Sequence, residues 1–224
     1  PAPAPVPAAE RYAIPTGEGR PQRGPAEAAV TIVEFGTFGC DACASVQRTL
    51  AQLLERHPQD LRLVFRSMAR SGKDRRAAHI ALAAHKQGKF WPVHDALLDR
   101  EGDFTAEEAA TFAESLGLDV EAFNADLRAR ADDGANRMVQ EDLALLDALE
   151  RRAPEPLLFV NGRPVEGTPT LEQLEALVAQ EIEAAKAFVE ANPAVDRAGL
   201  YDAMRRGWSS FDQLEAATAE APAR

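Results

Sequence analysis

The chain of 224 residues is 46% hydrophobic and 27% charged, the composition of a packed globular protein and not of a collagenous, mucin-like or wholly disordered one. Its 25 Lys and Arg against 36 Asp and Glu leave a formal charge of -11, which repels phosphate backbones and removes nucleic acid from the expected partners. No apolar run approaches the roughly 18 residues that a membrane-crossing helix needs.

In chain order, residues 1–25 hold 7 of the 15 prolines among Ala and Gly, which predicts an extended linker that tethers rather than folds. Val30-Thr-Ile-Val-Glu-Phe35 reads as a buried strand, Gly36-Thr-Phe-Gly39 as a turn, and Cys40-Asp-Ala-Cys43 as the opening of an amphipathic helix to about His57. Leu61-Arg-Leu-Val-Phe-Arg66 is a second strand, which completes a strand-helix-strand unit. Helical patterns then follow over about 74–87, 90–100, 106–116, 120–130 and 135–150, the third opened by the capping box Thr105-x-x-Glu108. Pro156-Leu-Leu-Phe-Val160 is a short strand, Asn161-Gly162 a two-residue hairpin turn, and Arg163 to Glu166 an edge strand. Leu171, Leu174, Leu177, Val178, Ile182, Ala185 and Val189 mark one face of a long helix. Asn192-Pro193 ends it, another helix runs from about 194 to 206, and the tail turns polar and Ala-rich.

Cys40 and Cys43 are the only two cysteines. A four-ligand zinc site needs a second pair or two suitably spaced histidines, and His79 and His85 fall about 240 degrees apart on a helix, too far round to converge on one metal. A structural disulfide closing so short a loop restricts the unfolded chain little. A redox role remains the better reading. At the first turn of a helix, unpaired N–H groups and the positive dipole end stabilise a thiolate, with Cys40 the exposed candidate and Cys43 the sheltered one. The fold class is therefore α/β, a thioredoxin-like fold with an inserted helical domain and a helical C-terminal extension. Its expected division is a linker over 1–25, a thioredoxin-like core over 26–67 and 151–191, a helical insertion over 68–150 and a helical extension over 192–224.

Three separated motifs, Glu34-Phe-Gly-Thr-Phe-Gly-Cys40-Asp-Ala-Cys43, Gln87-Gly-Lys-Phe-Trp-Pro-Val-His94 and Pro156-Leu-Leu-Phe-Val-Asn-Gly162, together resemble the DsbA-like family of thiol-disulfide oxidoreductases over roughly residues 26–190. The resemblance implies exchange of disulfides with cysteine-containing protein substrates in the periplasm or cell envelope, no cofactor beyond the cysteine pair, and a membrane redox partner that reoxidises or reduces it. It also implies that Cys40 attacks, Cys43 resolves, Pro156 is the family's cis-proline, and Glu34 is its buried acid beneath the active site. Pro169, in Gly167-Thr-Pro-Thr170, has similar wording but opens a helix and is set aside.

The departures concern charge. Asp41-Ala42 stands where strongly oxidising members carry Pro-His, and Glu155 stands beside the expected cis-proline. Both anions disfavour a thiolate and move the expected potential toward the reducing side. Oxidase activity is favoured by family weight, and reductase or isomerase activity by local electrostatics. A soft-metal-binding module and a structural domain with an inert disulfide are the readings from other classes. His57 and His94 are read as structural, and the aromatic residues of the insertion as core.

Overall fold

Seven-residue runs of β-branched and apolar side chains, buried on both faces, form the centre of a five-stranded mixed sheet. In the computed structural model of the chain, the described residues are 11–98, 105–128, 134–149, 156–208 and 210–219. The strands are β1 (Gln22–Arg23), β2 (Val30–Gly36), β3 (Leu61–Ser67), β4 (Leu157–Val160) and β5 (Arg163–Glu166), in the order β1-β3-β2-β4-β5. β2 and β3 are parallel, from Val30 opposite Leu61 to Gly36 opposite Ser67, and every other neighbouring pair is antiparallel. The crossover between the two parallel strands is α1 (Asp41–Arg56). The Asn161-Gly162 turn has φ of 43° and 78°, the paired left-handed conformation that a two-residue hairpin requires.

Alternation along the strands divides the apolar side chains between two layers. Ile32, Leu63, Leu158 and Val160 pack on one face against Val46, Leu50 and Leu53 of α1 and Leu174 and Val178 of α7 (Leu171–Ala191). On the opposite face, Val33, Phe35, Val64 and Phe159 share a core with the helices between β3 and β4. Those helices, among the described residues, are α2 (Gly72–His85), α3 (Phe90–Leu98), α4 (Ala106–Ser115), α5 (Val120–Arg128) and α6 (Gly134–Ala148). The Thr105–Glu108 capping box is formed as expected. The helical insertion thus covers the sheet and contributes Ile80, Phe90, Phe123, Val139 and Leu146 to the same apolar cluster.

Two segments depart from the expectation. Residues 11–25 are built into the fold and do not act as a tether, whereas residues 1–10 lie outside the described residues. Ala13 and Ile14 are fully buried, Tyr12 N–H donates to Gly162 O at 2.8 Å, and β1 extends the sheet along β3. Proline content averaged over 25 residues concealed the short apolar stretch Tyr12-Ala-Ile-Pro15, and prolines suit an extended strip that needs few ladder donors. Beyond α7, the expected helix over 194–206 is a 3₁₀ turn, Arg197–Gly199, followed by α8 (Leu200–Arg205). Further on, α9 (Phe211–Ala219) is anchored by the fully buried Leu214 and packed on α6.

A buried ion cluster joins the N-terminal strip to the helical layer. Arg66 Nη1 donates to Asp142 Oδ1 at 2.5 Å, and Arg20 Nη1 donates to Asp142 Oδ2 at 3.0 Å. The Ser67 N–H donates to Asp142 Oδ2 at 2.8 Å, and Arg66 Nε and Nη2 donate to Pro15 O at 3.1 and 2.6 Å. These bonds fix the end of β3 that lies beside the cysteine loop.

Candidate active site

The loop from Gly36 to Gly39 carries the chain out of β2 and presents Cys40 as the N-cap of α1. Cys40 is extended, with φ -127° and ψ 118°, and its Sγ accepts from the Cys43 N–H at 3.2 Å. Gly39 precedes it with φ of +73°, a conformation that a side chain would strain. Cys40 and Cys43 are disulfide-bonded, their Cα atoms 5.2 Å apart. Cys40 is half-buried and Cys43 only 1% exposed. Cys43 is sheltered as the sequence reading expects, whereas Cys40, expected to be exposed, is partly covered. Ala42 is half-buried, and Asp41 is exposed in the first helical turn.

Glu34 is 1% exposed in the middle of β2. It accepts a hydrogen bond from Gln47 Nε2, while its Oε1 has no partner. Burial pushes the Glu34 carboxyl up to about 8, against the lowering effect of the Gln47 bond. Gln47 lies four residues beyond Cys43 on α1, so the two share a helix face, and Glu34 meets that face. Gly36 leaves room for the acid, since a β-carbon there would stand 3.0 Å from both Glu34 Oε1 and Phe65 Cε2.

Pro156 is buried one step beyond the last β2–β4 pair, Phe35 with Leu157. That position is at the same end of the sheet as the cysteine loop. Glu155 lies outside the described residues. Pro169 is buried just before Thr170, the N-cap of α7.

Three residues not singled out as site residues lie close to the loop or beneath it. Gln47 was visible as a polar residue in the otherwise apolar stripe Cys43, Val46, Leu50 of α1. His94 of α3, read as structural, stacks edge-on against Phe38 of the loop at 5.4 Å between ring centroids and against Phe65 at 5.3 Å. Its Nδ1 meets Asp95 Oδ1 at 2.9 Å, and Asp95 in turn accepts from Arg23 of β1 at 2.6 Å. Burial lowers the His94 pKa, opposed by the Asp95 bond, so the ring is neutral at physiological pH. Lys73 of α2 reaches over Gly39. The parallel pairing of β2 and β3 is the signal for it, since it opens α1 and α2 at the same end of the sheet. Among the described residues, no group of three or more His, Cys, Asp or Glu side chains is placed to hold a metal ion.

The profile of the family described as Thioredoxin matches residues 16–180. The Na(+)/H(+) antiporter NhaA 1 of Salinispora arenicola is 36% identical over 159 residues, which is 70% of this chain and 24% of that protein. The chain thus spans about a quarter of the length of the curated relatives it matches. The crystal structure of a thioredoxin-like oxidoreductase from Silicibacter pomeroyi is 26% identical with a TM-score of 0.65, covering 80% of this chain and 99% of the other. The thiol-disulfide exchange protein alpha-DsbA2 from Wolbachia pipientis has a TM-score of 0.65 at 23% identity, covering 73% and 87% of the two chains.

Proposed function

Because this chain belongs to the thioredoxin family, we propose that it is a thiol-disulfide oxidoreductase that exchanges disulfides with cysteine-containing protein substrates through Cys40 and Cys43. The observation that carries this reading is the placement of Cys40, a half-buried sulfur at a helix N-terminus, bonded to a sheltered partner one helical turn on. In the oxidising direction, a substrate thiolate attacks Cys40 Sγ, the Cys40–Cys43 bond breaks, and Cys43 leaves with the electron pair. Glu34, protonated at neutral pH through its raised pKa, supplies the proton that the Cys43 thiolate takes up. A second substrate thiolate then attacks the substrate sulfur of the mixed disulfide and releases the Cys40 thiolate. Two electrons pass from the substrate dithiol to the pair, and an electron acceptor in the membrane reoxidises it. In the reverse direction, the Glu34 carboxylate accepts the proton of Cys43 so that Cys43 can attack the mixed disulfide.

Pro156 has no N–H to donate, which suits it to the border of a strip where a substrate segment pairs beside the sulfurs. A periplasmic thioredoxin-like protein from Salmonella enterica among the structural neighbours, with a TM-score of 0.60, supports an envelope setting. The much longer antiporter relatives support a domain working beside a membrane protein.

Asp41 favours a second direction. An anion in the first turn next to Cys40 opposes its thiolate and makes the disulfide less oxidising. Equilibration with graded glutathione buffers decides between the two. A potential near about -120 mV identifies an oxidase, and one near the thioredoxin value of about -270 mV a reductase or isomerase. In either case Asp41→Asn raises the potential by about 15 to 30 mV. A pair that binds Cu(I) or Zn(II) stoichiometrically but does not exchange with glutathione overturns the proposal in favour of a soft-metal module.

A further inference from the structure

β2 and β3 run parallel to a common end, where Gly36 stands opposite Ser67. The backbone N–H of Met68 donates to Gly36 O at 2.8 Å, so the connection leaving β3 lies directly alongside the cysteine loop. The start of α2 is fixed there by a reciprocal cap. The Asp74 N–H donates to Ser71 Oγ at 3.1 Å, and the Ser71 N–H donates to Asp74 Oδ2 at 3.3 Å. That cap engages the carboxylate adjacent to Lys73. Lys73 extends over the loop, with Nζ 3.6 Å and Cε 3.9 Å from the point where a Gly39 β-carbon would sit. Gly39 immediately precedes Cys40. Lys73 is exposed, and no carboxylate among the described residues pairs with it.

Of the other charged and titratable groups around the loop, the exposed Arg70, in the connection between β3 and α2, is paired with Asp147 of α6. α1 contributes the exposed anion Asp41. β2 contributes Glu34, uncharged at neutral pH because burial raises its pKa. α3 contributes His94 behind Phe38, also uncharged, with Asp95 held by Arg23. α2 contributes Lys73, the cation that the geometry places on the loop.

Resting on the oxidoreductase reading, we propose that Lys73 is the electrostatic partner of Cys40, stabilising its thiolate and offsetting Asp41. The thiolate forms in the resolving step. The attacking thiolate makes a new S–S bond, the bond between Cys40 and the substrate sulfur breaks, and Cys40 leaves with the electron pair. A cation beside the leaving sulfur favours that departure and favours the reduced form of the pair.

The test is the rate at which iodoacetamide alkylates Cys40 in the dithiothreitol-reduced protein between pH 5 and 9, which reports the thiolate fraction while Cys43 remains sheltered. Lys73→Gln slows alkylation at pH values below the thiol's midpoint by about three-fold, the effect of one unit charge about 6 Å away in a water-like dielectric. Lys73→Glu slows it further, Lys73→Arg retains the parent profile, and 1 M NaCl removes the differences. The glutathione equilibrium of Lys73→Gln shifts toward the disulfide by up to the same factor, about 14 mV. Superimposable alkylation profiles for parent and Lys73→Gln overturn the proposal, as does a difference that survives 1 M NaCl. Altered turnover of a disulfide peptide with an unchanged alkylation profile also overturns it, because Lys73 then acts on the substrate. Failure of the parent pair to exchange with glutathione sinks the oxidoreductase reading instead, and the alkylation profiles still report on Lys73.

Discussion

A carboxylic acid inside a β-sheet is costly in its charged form, and Glu34 shows where that cost falls. Its pKa is raised from 4.5 to about 8 by burial. Between those values the folded chain holds a proton that the unfolded chain has lost, so folding stability declines as pH rises through this window. Glu34→Gln keeps an acceptor for Gln47 and removes the decline. The oxidised variant is expected to gain about 3 kcal/mol more over the parent at pH 7.5 than at pH 4.5, read from urea unfolding at the two pH values. Equal gains at both would mean that Glu34 is ionised in the fold. The acid was legible in the sequence because it interrupts Val33 and Phe35 in a strand apolar on both faces. Its pairing with Gln47 was not, because matching a strand residue to a helix residue needs the register between them. Glu155, the second anion expected beside the sulfurs, lies outside the described residues.

At the level of elements, strands and helices with strong periodicity were legible. β2, β3 and the helices between β3 and β4 fall within a few residues of the expected bounds. The N-terminal strip was not, because the contacts that tie it to the fold are long-range: to Gly162, Tyr201, Arg66 and Ser210. No local propensity encodes them, and proline-rich composition points the other way. The Asp142 cluster is the sharpest test of how firmly that strip and α6 are joined. Both Arg66 and Asp142 are 1% exposed, and Asp142→Asn leaves the buried Arg66 without its anion while Arg20 keeps its pair with Glu141. That substitution is expected to cost about 3 to 5 kcal/mol in urea unfolding. Asp147→Asn, on the exposed pair with Arg70, costs at most about 1 kcal/mol. Similar losses for the two would show that burial does not set the strength of the Asp142 cluster.

The molecule as a whole has a sheet with a core on each face, and the helical insertion shares the core on one of them. Trp91 packs against both clusters, and Trp208 lies over the hairpin, within 2.7 Å of where a Gly162 β-carbon would sit. Unfolding of the oxidised protein in urea is therefore expected to give coincident transitions by tryptophan fluorescence and by far-UV circular dichroism. A separate early transition would mark the insertion as an autonomous unit. The division into core and insertion describes chain order; in three dimensions the two complete one another's interior.

The sheet's borders have a consequence for what the molecule can stick to. On one side β3 is covered by β1, which is only two residues long. On the other, β5 carries Pro164 opposite Phe159, and a proline there withholds a donor from any strand arriving from outside. Among the described residues neither border offers a long ladder of free backbone groups, which guards the sheet against edge-on polymerisation. For a protein proposed to handle unfolded, sticky chains, that guard confines strand-like docking to the mouth of the cysteine loop.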